Sequence, residues 1–390
     1  MDKRVYLLAL ISFVVGMVEL IIGGLLDLVA NDLKISLGQA GFLITIFSLT
    51  FAILAPILLT ITQRIERKLL TIISLIIFLI GNIIVVFSPF YSILIVGRVI
   101  SAASGSLLIA LCLTIVPKVV TEQYRARAIG VVFMGISASL VLGVPVGLIL
   151  GNAFSWRAPF VMVSILTFVS IIGVHFFLEK MAPNPPIPLI KQIRTLRSRK
   201  ILFAQMISYF HLTGHLTLYA YLTPFLKMKM GLDGTWVSIV YLIFGIAAVV
   251  GGGLGGILAD RFGAKTTILS LLVIFALSIF VIPYTTGILP LFLLVLIVWS
   301  MISWSISPAV QTYLIELSPE TAGIQQTLNN SAAHLGIASG SFIGGIVIEQ
   351  ASVELNPMIG GLIVILALGA AIVSMAKSSR GVYSPQENAK

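Results

Sequence analysis

The amino-acid sequence predicts an all-α membrane protein, with twelve transmembrane helices in two pseudo-symmetric six-helix bundles. Three observations carry that reading. Composition is 58% hydrophobic and only 10% charged over 390 residues, with a mean hydropathy of +1.12. A soluble domain carries about 25% charged residues, so this chain lacks the polar side chains to cover a water-facing surface. It suits a lipid-facing one, where the outside is apolar as well as the inside. The chain also breaks into apolar runs of membrane-spanning length, and a loop of its first half recurs in its second.

A span needs about 20 apolar residues. Such runs lie near 5–28, 40–62, 69–88, 91–116, 128–150, 157–178, 201–226, 236–258, 266–284, 288–315, 323–348 and 358–376. Polar breaks delimit them, among them Asn31 to Ser36, Gln63 to Lys68 and Pro117 to Arg127. The run after Lys3 and Arg4 is too long for a signal-peptide core and lacks a clear cleavage site, so it reads as a retained first helix.

The formal net charge of +10 does not point to nucleic acid, because the basic residues sit in short clusters between apolar runs. With the N-terminus inside, nineteen of the 24 Lys and Arg fall in interior segments and four, Lys34, Arg157, Lys227 and Lys229, in outer loops. Arg98 lies within a span. That bias puts both termini in the cytoplasm, and the location expected is a bacterial cytoplasmic (inner) membrane. The lone Cys112 gives neither a disulfide framework nor a metal-ligand pattern. No nucleophile elbow or phosphate loop appears, which weighs against a membrane enzyme.

The longest interior loop divides the chain six plus six. The domains expected are an N-terminal bundle over 1–178, an inter-bundle loop over 179–200, a C-terminal bundle over 201–376 and a disordered tail over 377–390. The loop opens with a stiff, proline-rich "APNPPIP". Its continuation "LIKQIRTLRSRK" reads either as a basic helix on the anionic leaflet or as a solvated linker. The halves echo each other: "GGILADRFGAKTTILSLL" aligns without gaps on "LLTITQRIERKLLTIISL", Arg261 on Arg64 and Lys265 on Lys68. Two six-helix halves joined in this way form a recurrent transporter architecture.

"GGILADRFGAK" resembles the signature loop of the major facilitator superfamily, in which Asp260, Arg261 and Lys265 can form a cytoplasmic charge latch. In the first half the signature Asp is Gln63 and a loop Gly is Glu66. "GRVISAASGS" resembles the family's Arg-bearing fourth helix. "GISASLVLGVPVG" resembles the motif of its drug/proton antiporters, with Gly135, Gly143, Pro145 and Gly147 in place and Val144 where a small residue is usual. Small residues there allow close helix approach, and Pro145 frees a carbonyl and allows a bend. Segments such as "PKVVTEQYRARAIGVVFMG" and "IQQTLNNSAAHLGIASGS" are similar to bacterial purine base and nucleoside efflux pumps and, less closely, to sugar-efflux members of the same branch. The resemblance implies proton-driven export of a small molecule, with protons and membrane lipids as partners, no cofactor beyond the proton motive force, and a monomer.

Of the deep side chains, Glu19 is the one carboxyl. At about 1.5 Å per residue it lies roughly 20 Å into the first helix, and Arg98 reaches similar depth in the fourth. An unpaired charge there is costly, so the two are expected to pair, as a proton-coupling couple or as a static structural pair. His215 reaches the same depth in the seventh span, with His211 and Tyr219 on its face. Gln326, Asn330 and His334 form a second polar stripe, continued by Gly336, Gly340 and Gly344 as a close-contact face. Trp304 and Gln311 complete an expected lining. Tyr6, Trp156 and Trp236, at span ends, read as interfacial anchors. A purine suits such a lining: its face stacks on Trp304 or Tyr219, and an amide such as Asn330 can read its edge. The same groups would serve a sugar or a lipophilic drug, so a multidrug or sugar-efflux antiporter remains the alternative. A receptor without transport fits the repeated halves less well.

Overall fold

The computed structural model describes residues 2–183 and 194–376, and within them every regular element is helical. In the first half α1 spans Lys3–Leu33, α2 Leu37–Ile61, α3 Arg67–Val86, α4 Tyr91–Ile115 and α6 Ala158–Phe177. Between the last two, Arg125–Ala138, a π-helical turn Ser139–Gly143 and Val144–Ala153 run on as α5. In the second half α7 spans Arg199–Tyr219, α8 Leu222–Met230, α9 Gly234–Phe262, α10 Ala264–Thr285, α11 Leu289–Leu317, α12 Ala322–Gln350 and α13 Asn356–Met375. The expected tail over 377–390 lies outside the described residues, as do residues 189–193 of the expected basic surface helix, whose last two residues, Arg199 and Lys200, begin α7.

Among the described residues, eleven helical segments are long and apolar enough to cross a membrane. The expected span over 201–226 is the exception, for two reasons. Its helix α7 carries Gln205, Ser208, His211, Thr213, His215 and Thr217, all buried. It also ends at Tyr219, and α8 resumes after Ala220 and Tyr221. Pro224 has no N–H to offer the Ala220 carbonyl, so the first turn of α8 cannot continue α7.

Local chemistry sets the helix ends. Asp2 caps α1, its Oδ1 accepting from the Arg4 amide at 2.9 Å. Lys34 closes α1 in the left-handed region at φ 54°. Ser36 and Gln39 then form a capping box that starts α2. Both halves pack along stripes of small residues. On α5, Gly135, Gly143, Gly147 and Gly151 face Ala9, Met17, Ile21 and Leu25 of α1. On α12, Gly336, Gly340 and Gly344 lie against the Tyr209, Thr213 and Thr217 carbonyls of α7. Pro145 follows the π turn. The expected bend is thus a local widening of the helix, which accommodates a residue that cannot donate.

The outer faces of α3 and α6 expose Ile73, Ile76, Ile77, Ile80, Phe168 and Phe176, an apolar belt of the kind lipid requires. Tyr6 and Trp236 are exposed as expected of interfacial anchors, but Trp156 is not one. It is buried, and its Nε1 donates to Asp32 at 2.9 Å beside the Arg157–Asp32 ion pair.

Candidate functional site

A cavity of about 180 Å3 lies where the halves meet. From the first half α1 supplies Glu19 and Leu20 and α5 supplies Ile136. From the second, α7 supplies His211, His215 and Tyr219, α11 supplies Ser303 and Trp304, and α12 supplies His334. The depth arithmetic that put Glu19 and His215 at one level is thus matched by a shared cavity. The volume is below the about 300–1,000 Å3 usual for drug-sized ligands.

Glu19 faces His334, not Arg98. His334 Nδ1 stands 3.0 Å from Glu19 Oε1, and its ring stacks on Phe51 of α2 at 4.0 Å between centroids. The contact is close, but both atoms lack the alignment of a hydrogen bond. The imidazole therefore touches two helices of the opposite half. Arg98 is fully buried elsewhere: Nη1 donates to the Val18 carbonyl at 2.7 Å and Nε to the Leu43 carbonyl at 3.3 Å. Its guanidinium lies 4.2 Å from the Phe47 ring centroid. No direct ion pair joins Glu19 and Arg98 among the described residues, although the two charges still act on each other through space, because depth alone does not bring side chains into contact. Arg98 reaches the residue before Glu19, and successive helical side chains diverge by about 100°.

Sequence reasoning placed Asn330 in the site; it does not line this cavity, although it lies one turn from His334 on α12. Asn330 and Gln326 are exposed, while Asn329 and Gln325, one residue earlier, are buried. Asn329 Nδ2 donates to Gln205 Oε1 at 3.0 Å and to Ser208 Oγ at 2.9 Å. Gln205 Nε2 in turn donates to Gln325 Oε1 at 3.1 Å. This amide network ties α12 to α7. Trp304 lines the cavity as expected, but the tryptophan packed against His215 is Trp299, at 5.1 Å between centroids.

One residue that sequence reading missed lies at the centre of the second-half wall. Ser303 Oγ is 3.0 Å from His211 Nε2 and 3.1 Å from His215 Nδ1. A buried serine in an apolar run carries no pattern of its own; only the spacing of His211 and His215 hinted that they share a partner.

The cavity is sealed on the side away from the N-terminus. There Asp27 of α1 pairs with Lys227 of α8, and Ser36 bonds Glu349. Thr223 Oγ1 donates to the Gly24 carbonyl at 3.2 Å, and Ser341 Oγ to the Gly41 carbonyl at 2.9 Å. At the other end Asp260, Arg261 and Lys265 are exposed. The charge latch expected of them is not closed in this conformation: Arg261 lies over the Phe262 ring, and no ion pair joins the three among the described residues.

Residues 8–341 and 243–386 match the family model of the Major Facilitator Superfamily. A Bacillus subtilis (strain 168) protein, "Uncharacterized MFS-type transporter YbcL", is 34% identical over 370 residues, covering 95% of each chain. A "Probable sugar efflux transporter" of Mannheimia succiniciproducens is 24% identical over 378 residues, covering 97% of this chain and 95% of its own. Among solved structures, a bacterial homolog of the human lysosomal transporter Spinster, inward-facing and occupied, superposes with a TM-score of 0.79. It is 17% identical and covers 95% of this chain and 96% of its own, a likeness of fold.

Proposed function

The chain belongs to the major facilitator superfamily, and on that premise we propose that it exports purine bases, nucleosides or their analogues, driven by inward proton flow. It is a multi-pass membrane transporter and not an enzyme. In the proposed topology, α7 and α8 together form the seventh of twelve spans, the halves are two six-helix bundles, and both termini are cytoplasmic. The positive-inside count supports that orientation. The described conformation is then closed outside, with its cavity reached from the cytoplasm.

One observation carries the reading: Glu19 faces His334 across the two halves inside a small cavity walled by aromatic rings. A carboxylate that touches the opposite half can exchange a proton for substrate and change the contact between halves in the same step. His215, Tyr219 and Trp304 offer ring faces on which a planar heterocycle stacks. The name of the Mannheimia relative favours a second reading, sugar efflux. Few hydroxyl and amide groups line the cavity, which suits a heterocycle better than a polyol.

Counterflow of labelled adenine, hypoxanthine and guanosine in proteoliposomes, with sugars and lipophilic drugs as competitors, is the direct test. Saturable purine exchange that an imposed proton gradient drives uphill is expected. Exchange of sugars or drugs with no purine flux would replace this reading.

A further inference from the structure

We propose that the groove between α7 and α12 on the outer side of the second half binds one anionic diacyl phospholipid, with an acyl chain in the groove and the phosphate among Arg194, Arg197 and Arg199. The site does not depend on what is transported; the proposed orientation fixes only its leaflet, the cytoplasmic one.

The groove has a volume of about 250 Å3 and runs between Leu202, Met206 and Tyr209 of α7 and Leu328, Ala332 and Leu335 of α12, with Leu196 also against it. It is separate from the cavity between the halves. α12 turns His334 and Ile337 towards that cavity, and Leu335 projects about 100° round the helix from His334. Leu335 shares its side of α12 with Phe342 and Ile346, all three exposed, so the groove opens on the apolar belt. Its polar side chains are turned to the protein. Tyr209 Oη bonds Ser339 Oγ at 3.1 Å, Gln205 bonds Gln325 and Asn329, and Ser331 Oγ is shielded from solvent. From Leu202 to Tyr209 the groove covers seven residues, about 10 Å at about 1.5 Å per residue. Half of a hydrocarbon core is about 15 Å, so one acyl chain lies along it through most of a leaflet.

A chain seated there brings its headgroup to the start of α7. Arg199 stands one turn before Leu202 on nearly the same face, and Arg197 follows Leu196 directly. Arg194, Arg197 and Arg199 are all exposed. Among the described residues no ion pair joins them to an acid, Glu316 and Glu320 near the start of α12 included. The chain has no Asp or Glu between Glu179 and Asp233. Arg199 is steadied over the Phe203 ring, 5.7 Å from its centroid. Guanidinium groups suit a phosphate because they can meet it with two parallel N–H donors. An apolar groove that ends in three unpaired arginines is thus the complement of an anionic phospholipid. A zwitterionic lipid carries its own cation into the same place and loses most of that attraction. The amide network between α7 and α12 lies behind the groove, so a bound chain keeps water from the contact between the helices that carry His215 and His334.

The test titrates the full chain, purified in detergent and stripped of lipid, with dioleoyl-phosphatidylglycerol or dioleoyl-phosphatidylcholine, and reads occupancy of the first lipid by native mass spectrometry. At about fivefold for each of three arginines, phosphatidylglycerol is expected to bind about a hundredfold more tightly. Arg197→Gln/Arg199→Gln should cut that preference about thirtyfold. Arg64→Gln/Lys265→Gln, which removes two exposed charges from other loops, should leave it unchanged. Leu335→Trp fills the groove from an exposed position and should weaken both lipids alike, about tenfold or more for loss of an acyl-chain seat. Equal affinity for the two lipids, or equal losses in the two double variants, would reduce the arginines to a diffuse basic surface and overturn the proposal. Undiminished binding in Leu335→Trp would overturn it as well, by removing the groove. Oleate bound as tightly as phosphatidylglycerol would assign the site to a fatty acid instead. None of these readouts involves transport, so failure of the purine reading leaves them intact.

Discussion

His334 of α12 reaches across the boundary between the halves and sets its Nδ1 3.0 Å from the Glu19 Oε1 of α1, with Phe51 of α2 stacked on its ring. The deep carboxyl of one half is thus met by an imidazole of the other, and a change of charge on either acts directly on the contact between the halves. Intramembrane ionisable groups placed in this way mark ion pathways.

Glu19→Gln keeps the shape of the side chain and removes its titration. Export driven by a proton gradient is expected to vanish, while downhill counterflow of the same substrate persists and the purified protein stays monodisperse. Uphill export by the mutant in everted vesicles would exclude Glu19 as the coupling group.

His334→Phe preserves the stack on Phe51 and removes the nitrogen that faces Glu19. Gradient-driven export should fall about tenfold or more, because the imidazole that meets the deep carboxyl across the boundary is lost. Pumping at the wild-type rate would show that Glu19 works without its partner.

Arg98→Ala should act on stability. The side chain bonds two helix carbonyls and lies over Phe47, and its loss removes charged hydrogen bonds and a desolvated cation–π contact of about 2 kcal/mol. A destabilisation of about 3 kcal/mol or more is expected in thermal unfolding. An intact melting temperature would show that these contacts do not hold the fold.

Asn329→Ala and Asn330→Ala should differ sharply. The first breaks bonds to Gln205 and Ser208 inside the α7–α12 network and should cost about 2 kcal/mol. The second alters an exposed side chain and should change neither stability nor the ranking of adenine, hypoxanthine and guanine. A reordered ranking in Asn330→Ala would return that residue to the recognition site.

Glu66 supplies a pH-dependent attachment for the start of the inter-half loop. Burial raises its carboxyl, but the Met181, Leu69 and Lys68 amides that donate to it prevail and hold it below its ordinary 4.5. A carboxyl lowered on folding stabilises fully above its ordinary value, and that stabilisation is lost as pH falls through the lowered one. Limited proteolysis near Met181 should accelerate as pH drops below about 4.5 in the wild type. In Glu66→Gln it should be fast at every pH; a pH-independent wild type would refute the attachment.

Sequence alone determined what depends on one helix at a time. Apolar length placed eleven of the twelve expected spans, rise per residue put Glu19 and His215 at one depth, and the four-residue spacing of small residues marked the faces by which α5 and α12 pack. Each follows from helix geometry and the demand of hydrocarbon for apolar surface. Tertiary structure alone decided what depends on how helices turn towards one another. It separated Arg98 from Glu19, although their depths agree, and gave Glu19 to His334. It buried Gln325 and Asn329 of α12 against α7 and left Gln326 and Asn330 exposed, a choice between adjacent amides that residue type does not announce. It also brought Ser303 between two histidines about 90 residues away in the chain. A side chain's depth is a property of its own helix, but its partner is fixed by rotation and packing across helices, and no local pattern encodes that.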